Sequence, residues 1–196
     1  MGPGLASGGS NKQHIIGADS SSSVLQTEAD ISGHQALLRI LSFIRGIPGC
    51  EKATVESMAD SAAMRETYRI VGEQTITYGD YMSGKRYEDA VAYTLYFIDI
   101  HHDNGIHREF LPYDVVPTIP LGALIPKGSR RILAAGRCIS SDQKAFSALR
   151  VEASCMAMGQ AAGAAAALAV RMNVPSRDVP IEDVRGILIK HDAIVP

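Results

Sequence analysis

The 196-residue sequence contains no tryptophan, only three cysteines and a nearly balanced set of charges. The cysteines Cys50, Cys138 and Cys155 are odd in number and have no C-x-x-C spacing, which argues against a disulfide framework. Sparse, unpaired cysteines are typical of proteins from reducing compartments. The first residues also lack the basic and then apolar pattern of a signal peptide. We therefore expect a cytoplasmic protein.

The charge pattern gives no reason to expect nucleic acid or a membrane as a partner. The formal net charge is -2, and no run of lysine or arginine forms a basic patch. The alanine-rich stretch near the carboxyl end comes closest to a membrane span, but Glu152, Gln160 and Arg171 interrupt or flank it. A helix of a soluble protein is the preferred interpretation.

Glycine and serine dominate residues 1–23, and this composition predicts a flexible arm before a globular part at residues 24–196. Gly2 to Ser7 nearly spells the dinucleotide-binding motif G-x-G-x-x-G. No strand is predicted to deliver that turn, so the context that gives the motif its meaning is missing. The flexible-arm interpretation is preferred.

Helical spacing of apolar residues predicts a helix at residues 28–45, capped by Thr27 with Asp30 and ended by Gly46. The pair Thr77 and Asp80 predicts the start of a short helix. Further elements expected from local patterns are strands at residues 52–58 and 93–100, a short helix at residues 87–91 and an amphipathic helix at residues 181–190.

The stretch at residues 131–171 is the most informative. A short apolar run at residues 132–135 stops at Gly136, which is typical of a buried strand. An alanine-dense helix follows, because alanine loses no side-chain entropy in a helix. Gly159 and Gly163 lie four residues apart on one face of it, and mid-helix glycines usually mark a closely packed neighbour.

This stretch contains "AGRCIS" and "RVEASCMAMGQAAGAAAALA", which resemble the carboxyl-terminal flavin-binding segment of the FAD-dependent oxidoreductase family related to fumarate reductase flavoproteins and glutathione reductase. Upstream blocks such as "RETYRIVGEQTITYGDYMSGKRYEDAVA", "IDIH" and "IPLGALIPKG" resemble the same family in the same order. The resemblance covers residues 17–193. It is to the carboxyl-terminal portion only, since the family's amino-terminal G-x-G-x-x-G segment is absent.

The resemblance implies a mixed α/β fold, the carboxyl-terminal part of an FAD/NAD(P)-binding Rossmann-like domain. Residues 52–113 would form part of an antiparallel, substrate-side sheet. Residues 131–171 would supply the strand and helix that contact the flavin of FAD. An incomplete sheet would leave apolar faces uncovered, so self-association is also expected.

Carried over position by position, the resemblance assigns cofactor binding to Gly136, Arg137, Cys138, Ser154, Met158, Gly159, Gln160 and Ala161. A helix amino terminus carries partial positive charge and free N–H donors, which would stabilise negative charge on a reduced flavin. The competing interpretation is that Gly159 and Gly163 only allow two helices to approach.

The candidate catalytic residues are His101 in "IDIH" and Arg65 in "RET". A histidine can act as an acid or base near neutral pH, and a guanidinium can bind a carboxylate with two hydrogen bonds. Arg69 and Arg150 are further arginine candidates. For each of these, a surface loop or an ordinary ion pair is the competing interpretation. No metal site is expected, because the histidines lack metal-ligand spacing.

Two functions stay open. The first is the carboxyl-terminal portion of an FAD-dependent oxidoreductase that acts on a small molecule. The second is a non-catalytic fragment or subunit that binds no cofactor alone. Such a chain would act through oligomerisation, or by docking to a partner that carries the FAD pyrophosphate-binding half.

Overall fold

A computed structural model of the protein describes residue 15, residues 17–102 and residues 105–196. The chain forms two compact units, residues 1–67 and residues 68–196. Helices are combined with short antiparallel strands, which confirms the mixed α and β class. Most of the expected arm and its glycine-rich motif lie outside the described residues, so the arm stays a prediction.

The first unit is built on helix α1, Ser23–Arg45. Its cap is Ser22, whose hydroxyl accepts a hydrogen bond from the Leu25 amide at 3.3 Å. The predicted cap at Thr27 is wrong, because Thr27 is a residue of the helix itself and its hydroxyl donates to the Ser23 carbonyl. The predicted end is confirmed, since Gly46 is the carboxyl-terminal cap.

An irregular segment, residues 53–62, lies along α1 and replaces the strand expected at residues 52–58. The Arg45 guanidinium donates to the Ala53 carbonyl at 2.8 Å, and the Ala62 amide donates to the Asp30 carboxylate at 2.7 Å. The strand prediction is wrong, because this backbone is hydrogen-bonded to side chains of α1. Among the described residues it has no neighbouring strand.

The second unit contains two antiparallel strand pairs. Strand β1, Ala90–Tyr93, pairs with β4, Thr118–Pro120, and β2, Ile98–His102, pairs with β3, Gly105–Glu109. The helix expected at residues 87–91 is therefore wrong, since its last two residues belong to β1.

The single strand expected at residues 93–100 is interrupted. The hydroxyl of Tyr81, a buried residue, donates to the Tyr96 carbonyl at 2.9 Å and accepts from the Tyr96 amide at 3.3 Å. Both backbone groups of Tyr96 are thus bonded to a side chain and are not used in a strand ladder.

Four α-helices complete this unit. The capping box of Thr77 and Asp80 is present at the first of them, as predicted. The helix expected at residues 181–190 is also confirmed. The four are α2, Tyr78–Met82; α3, Gln143–Leu149; α4, Glu152–Met172; and α5, Ile181–Lys190; two 3-10 turns, Leu121–Leu124 and Ser176–Asp178, accompany them.

Helix α4 supplies much of the core. It is long and apolar enough to cross a membrane by length and composition alone. Seven of its residues are buried, however, and they pack with Phe146, Leu124 and the strands. This is the packing of an interior helix with one exposed face.

The strand expected at residues 132–135 does not form. The Ala134 amide donates to the Leu124 carbonyl at 2.8 Å, but Ile132 is 62% exposed and the segment is irregular. A strand needs a continuous ladder with a neighbour, and among the described residues this run faces a 3-10 turn. The prediction of a strand is therefore wrong, although the turn at Gly136 does follow.

Candidate functional site

Gly136 forms the turn that the resemblance predicts to lie beside a flavin. Its φ of +92° lies in the left-handed region, and the Ile139 amide donates back to its carbonyl at 3.1 Å. A Cβ built on Gly136 would meet no atom within 4 Å. Arg137 is exposed and Cys138 is half-buried. The backbone of the turn is therefore next to open space.

One neighbouring segment, residues 70–72, holds this turn in place. The Ile70 amide donates to the Cys138 carbonyl at 2.9 Å, and the Gly72 amide donates to the Ser140 hydroxyl at 3.0 Å. A Cβ on Gly72 would lie 2.8 Å from the Ser140 Cβ and 2.9 Å from the Gly122 carbonyl oxygen. Glycine is therefore required there for the backbones to approach.

Helix α4 begins without a side-chain cap, because its N-cap residue is Val151, which has no hydrogen-bond acceptor in its side chain. The amide groups of a first helical turn have no intrahelical partner and carry the positive end of the helix dipole. Glu152 in that first turn, an exposed residue, partly opposes this field. No capping side chain therefore occupies the first-turn amides of α4.

Two residues of the turn, Arg137 and Cys138, act electrostatically on the thiol of Cys155 in the first turn of α4. Burial raises the pKa of Cys155, while the charge of Arg137 lowers it and Cys138 raises it. Electrostatic effects of this kind act over a few ångströms in a partly buried site. Contacts connect the two elements as well: the Ile70 amide donates to the Cys138 carbonyl at 2.9 Å, and the guanidinium of the preceding residue, Arg69, lies 5.1 Å from the Phe146 ring that Arg150 also faces.

Three of the predicted cofactor residues point their side chains into the core. Ser154 is 3% exposed, and its hydroxyl lies 2.8 Å from that of Thr94. Met158 and Ala161 are fully buried. These three residues can offer a ligand only their backbone.

Gly159 and Gln160 lie on the exposed face of α4. A Cβ on Gly159 or Gly163 would meet no atom within 4 Å. The closely packed neighbour expected from the two glycines is therefore not found among the residues that the structure describes.

His101 lies on β2, in contrast to the surface loop considered for it. Its Nε2 atom is 3.0 Å from a carboxylate oxygen of Asp99, and its Nδ1 atom is buried. Asp99 is held by its backbone as well: its amide donates to the Ser147 hydroxyl at 3.0 Å, and its carbonyl accepts from the Arg150 guanidinium at 2.9 Å. His101 and Asp99 thus form a fixed pair.

Arg150 connects this pair to the start of α4, since it directly precedes the N-cap residue Val151 in the chain. Its guanidinium carbon lies 5.9 Å from the centre of the buried Phe146 ring, and that of Arg69 lies 5.1 Å from the same ring. Arg65 belongs to the first unit, where it is exposed. Its suggested contact with substrate stays a prediction.

The sequence reasoning missed Asp99 and Phe146. Residues two apart on a strand point to the same face, so the order Asp99, Ile100, His101 contained the signal for the pair. Phe146 and Arg150 are four residues apart, a spacing at which helical side chains meet, but nothing in the sequence indicated that Arg69, far earlier in the chain, contacts the same ring.

A cavity of about 240 Å³ lies elsewhere in the second unit. Its lining includes Glu73, Asp89 and Arg177 and none of the eight predicted cofactor residues. The Asp89 carboxylate is already bonded to the Gln74 amide group and the Gly122 amide. Pockets for small molecules usually exceed about 300 Å³, so this cavity is small for a ligand of flavin size.

The sequence profile of a protein family described as FAD dependent oxidoreductase matches residues 7–188. The chain belongs to this family. No curated protein and no solved structure matches the chain. Membership makes the chain a flavin-dependent oxidoreductase-type domain. The open turn at Gly136 and the uncapped start of α4 are compatible with a planar ring that gains negative charge.

Proposed function

We propose that the chain forms the flavin-ring side of an FAD-dependent oxidoreductase and contributes to a redox site for a small molecule. The observation that carries this proposal is the open turn at Gly136, which hydrogen bonding to Ile70 and the stacking of Arg69 on Phe146 connect to the uncapped start of α4. A left-handed glycine lets backbone approach a flat ligand, and a free helix start favours negative charge beside it.

FAD would supply hydride acceptance or donation, and the chain's own groups would hold and polarise the ring. The first-turn amides of α4 would stabilise the negative charge of the reduced ring. Arg137, exposed at the turn, would add a positive charge on the same side. Ser154, Met158 and Ala161 would support this helix from the core side.

His101 has a positioning role in this proposal. Its Nε2 atom is bound to Asp99 and its Nδ1 atom is buried, so neither nitrogen is presented to a substrate in this conformation. The pair would instead fix Asp99, whose carbonyl holds the Arg150 guanidinium next to the start of α4. Loss of His101 would then disturb the site through Arg150.

The alternative function depends on how the pyrophosphate of FAD, the part beyond the flavin ring, is bound. Within residues 17–102 and 105–196, no strand leads through a G-x-G-x-x-G turn into a helix, the combination that binds the pyrophosphate of dinucleotides. The exposed face of α4, which includes Gly159 and Val170, also has room for a neighbour. On this proposal the pyrophosphate is held by residues other than these 196, for example on a partner chain, and this chain alone is inactive.

The experiment that tests ring contact is a titration with riboflavin, which carries the isoalloxazine without the pyrophosphate, followed by flavin fluorescence. The variant G136A places a methyl group in the open space of the turn. The matched control is G128A, since Gly128 also has a positive φ and open space around it. Each variant should lose about 1 kcal/mol of stability from the strained backbone.

We expect wild type and G128A to bind riboflavin alike and G136A to bind about tenfold more weakly, as a displaced contact of about 1.4 kcal/mol implies. Equal affinities for all three proteins would contradict the proposed ring site. A parallel titration with FAD separates the two functions. Binding of neither flavin supports the alternative, whereas FAD binding much tighter than riboflavin binding means that this chain holds the pyrophosphate itself.

A further inference from the structure

The cavity of about 240 Å³ in the second unit is small for a flavin but has the volume of a smaller ligand. One water takes about 30 Å³ in the liquid, so the cavity has room for about eight waters, or for a ligand of about eight to ten non-hydrogen atoms. Apolar and charged side chains line it together. Sites for small molecules combine apolar walls with a few polar groups in this way.

The apolar part of the lining is rigid. Leu121, Ile125 and Val179 are buried in the core of the second unit, and the Ile125 carbonyl accepts a hydrogen bond from the Glu73 amide at 2.9 Å. Ile181, a half-buried residue at the start of α5, also lines the cavity. A short aliphatic chain placed against these side chains would be removed from water, which favours binding.

The polar part of the lining offers hydrogen-bond acceptors and negative charge. The Gln74 Nε2 atom donates to the Asp89 carboxylate at 3.0 Å, which leaves Oε1 as an acceptor. One oxygen of the Glu73 carboxylate accepts from the Gly128 amide at 3.1 Å, and within residues 17–102 and 105–196 its other oxygen has no hydrogen bond. An ammonium group has three donors and a positive charge, so it is complementary to these acceptors.

Arg177 supplies positive charge to the same lining. Its guanidinium lies 3.6 Å from the Glu73 carboxylate and 3.9 Å from the Asp178 carboxylate, beyond the range of about 2.7–3.2 Å for an N–H···O hydrogen bond. Among the described residues, the guanidinium therefore has ion-pair contacts but no hydrogen-bond acceptor. Its donors can bind a carboxylate with two parallel hydrogen bonds.

The two charges and the apolar walls together are complementary to a small zwitterion. Its ammonium group would lie against Glu73 and Gln74, its carboxylate against Arg177, and its aliphatic chain against Leu121 and Val179. We propose that this cavity binds a small aliphatic amino acid such as leucine. None of the eight predicted cofactor residues lines the cavity, and the proposal does not depend on flavin binding.

The first test is an amide chemical-shift titration of the full chain with L-leucine, without added flavin. A ligand of this size should bind with a Kd of about 0.1–1 mM. Saturable shifts are expected at the amides of Gln74, Gly122 and Val179, with the amides of α1 unchanged. Absence of such shifts at about 10 mM leucine, ten times the upper end of that range, would overturn the proposal.

Three analogues separate the parts of the ligand in the same titration. 4-Methylpentanoate lacks the ammonium group, leucinamide lacks the carboxylate, and glycine lacks the aliphatic chain. Each should bind about tenfold more weakly than leucine, since each loses a charged hydrogen bond or buried apolar area. Equal affinities for leucine and the three analogues would show that the lining does not recognise an amino acid, and the proposal would be wrong.

The second test removes the guanidinium with the variant R177Q. Leucine should bind R177Q about tenfold more weakly than the wild type, whereas leucinamide, which has no carboxylate, should bind both proteins alike. The matched control is R130Q: the Arg130 carbonyl accepts from the Ser176 amide, next to Arg177, but its side chain does not line the cavity. Both arginines are exposed, so neither substitution removes core packing.

R130Q should bind leucine within about twofold of the wild type, because a charge outside the cavity acts through solvent. Equal leucine affinities of R177Q and the wild type would contradict the contact between Arg177 and the carboxylate. Equal losses in R177Q and R130Q would show a general effect of surface charge, and either result would overturn the proposal.

Discussion

The two long helices of this protein have nearly the same length but differ in how many of their residues are buried. Helix α1 has 23 residues, many of them large and apolar, and Ala29 alone among them is buried. Helix α4 has 21 residues, most of them small, and seven of them are buried. Burial is therefore decided by the elements that surround a helix and not by the apolar character of its own side chains.

Two phenylalanines give the largest expected contrast. Phe146 is fully buried beneath Arg69 and Arg150, while Phe43 on α1 is 74% exposed. Phe146→Ala should lower the free energy of unfolding by about 3–5 kcal/mol through lost burial and a cavity. Phe43→Ala should change it by less than about 0.5 kcal/mol.

Urea denaturation of the two variants, followed by circular dichroism, measures both effects. If Phe43→Ala cost as much stability as Phe146→Ala, the contrast between the helices would be wrong, and α1 would have a buried face in solution.

Helix caps should show a smaller difference of the same kind. The Asp142 carboxylate caps α3 by accepting from the Ala145 amide at 2.8 Å, and it also accepts from the Tyr78 amide at 2.6 Å. Asp142→Ala should cost about 2 kcal/mol, since a half-buried amide also loses its partner. Ser22→Ala, at the exposed cap of α1, should cost about 0.5–1 kcal/mol.

Both cap variants are compared with the wild type by thermal unfolding at one pH. Equal losses would mean that the second acceptor role of Asp142 adds nothing to stability.

The pairing of α1 with segment 53–62 should depend on pH. The hydrogen bond from the Ala62 amide, followed by those from Gln26 and Ser61, lowers the pKa of Asp30 below its usual value of 3.8. A lowered folded-state pKa means that the stabilisation is present above pH 3.8 and is lost as the pH falls through the folded value. Hydrogen exchange of the Ala62 amide measures this.

We expect protection of that amide, corrected for intrinsic exchange, to be constant from pH 7 to about pH 4 and to fall below it. In Asp30→Asn the fall should disappear. A fall in Asp30→Asn equal to that of the wild type would show that another group controls the pairing.

The smallest effect concerns the thiol of Cys155. Burial raises its pKa and the charge of Arg137 opposes this. Arg137→Gln should raise the pKa further and slow alkylation of Cys155 at neutral pH by about twofold, because the thiolate is the reacting species. The rate at each cysteine can be read by mass spectrometry, with Cys50 in the first unit as an internal control. Unchanged alkylation of Cys155 would place Arg137 away from the start of α4.

Local signals in the sequence predicted the elements whose ends are set by local chemistry. The cap of Thr77 with Asp80, the stop at Gly46 and the helix at residues 181–190 are of this kind. The strands at residues 52–58 and 132–135 were wrong because a strand depends on a distant neighbour. The break at Tyr96 depends on the hydroxyl of Tyr81, whose position no local pattern reveals.

In the candidate site, too, local sequence predicted some features and missed those that depend on distant residues. The turn at Gly136 followed from a motif within one stretch of sequence. The sequence motifs did not show which face of α4 is buried. The prediction therefore included Ser154, Met158 and Ala161 as ligand contacts, although their side chains point into the core. The pairing of His101 with Asp99 required knowledge that this segment is a strand.

The central claim is that the Gly136 turn and the start of α4 face a flavin ring. The most direct test is an amide chemical-shift map of the protein on addition of riboflavin. The account predicts that the largest shifts occur in residues 137–139 and 152–155, with the amides of α1 unchanged. Largest shifts at the cavity beside Gly122, or no shift at the turn under saturating riboflavin, would contradict it.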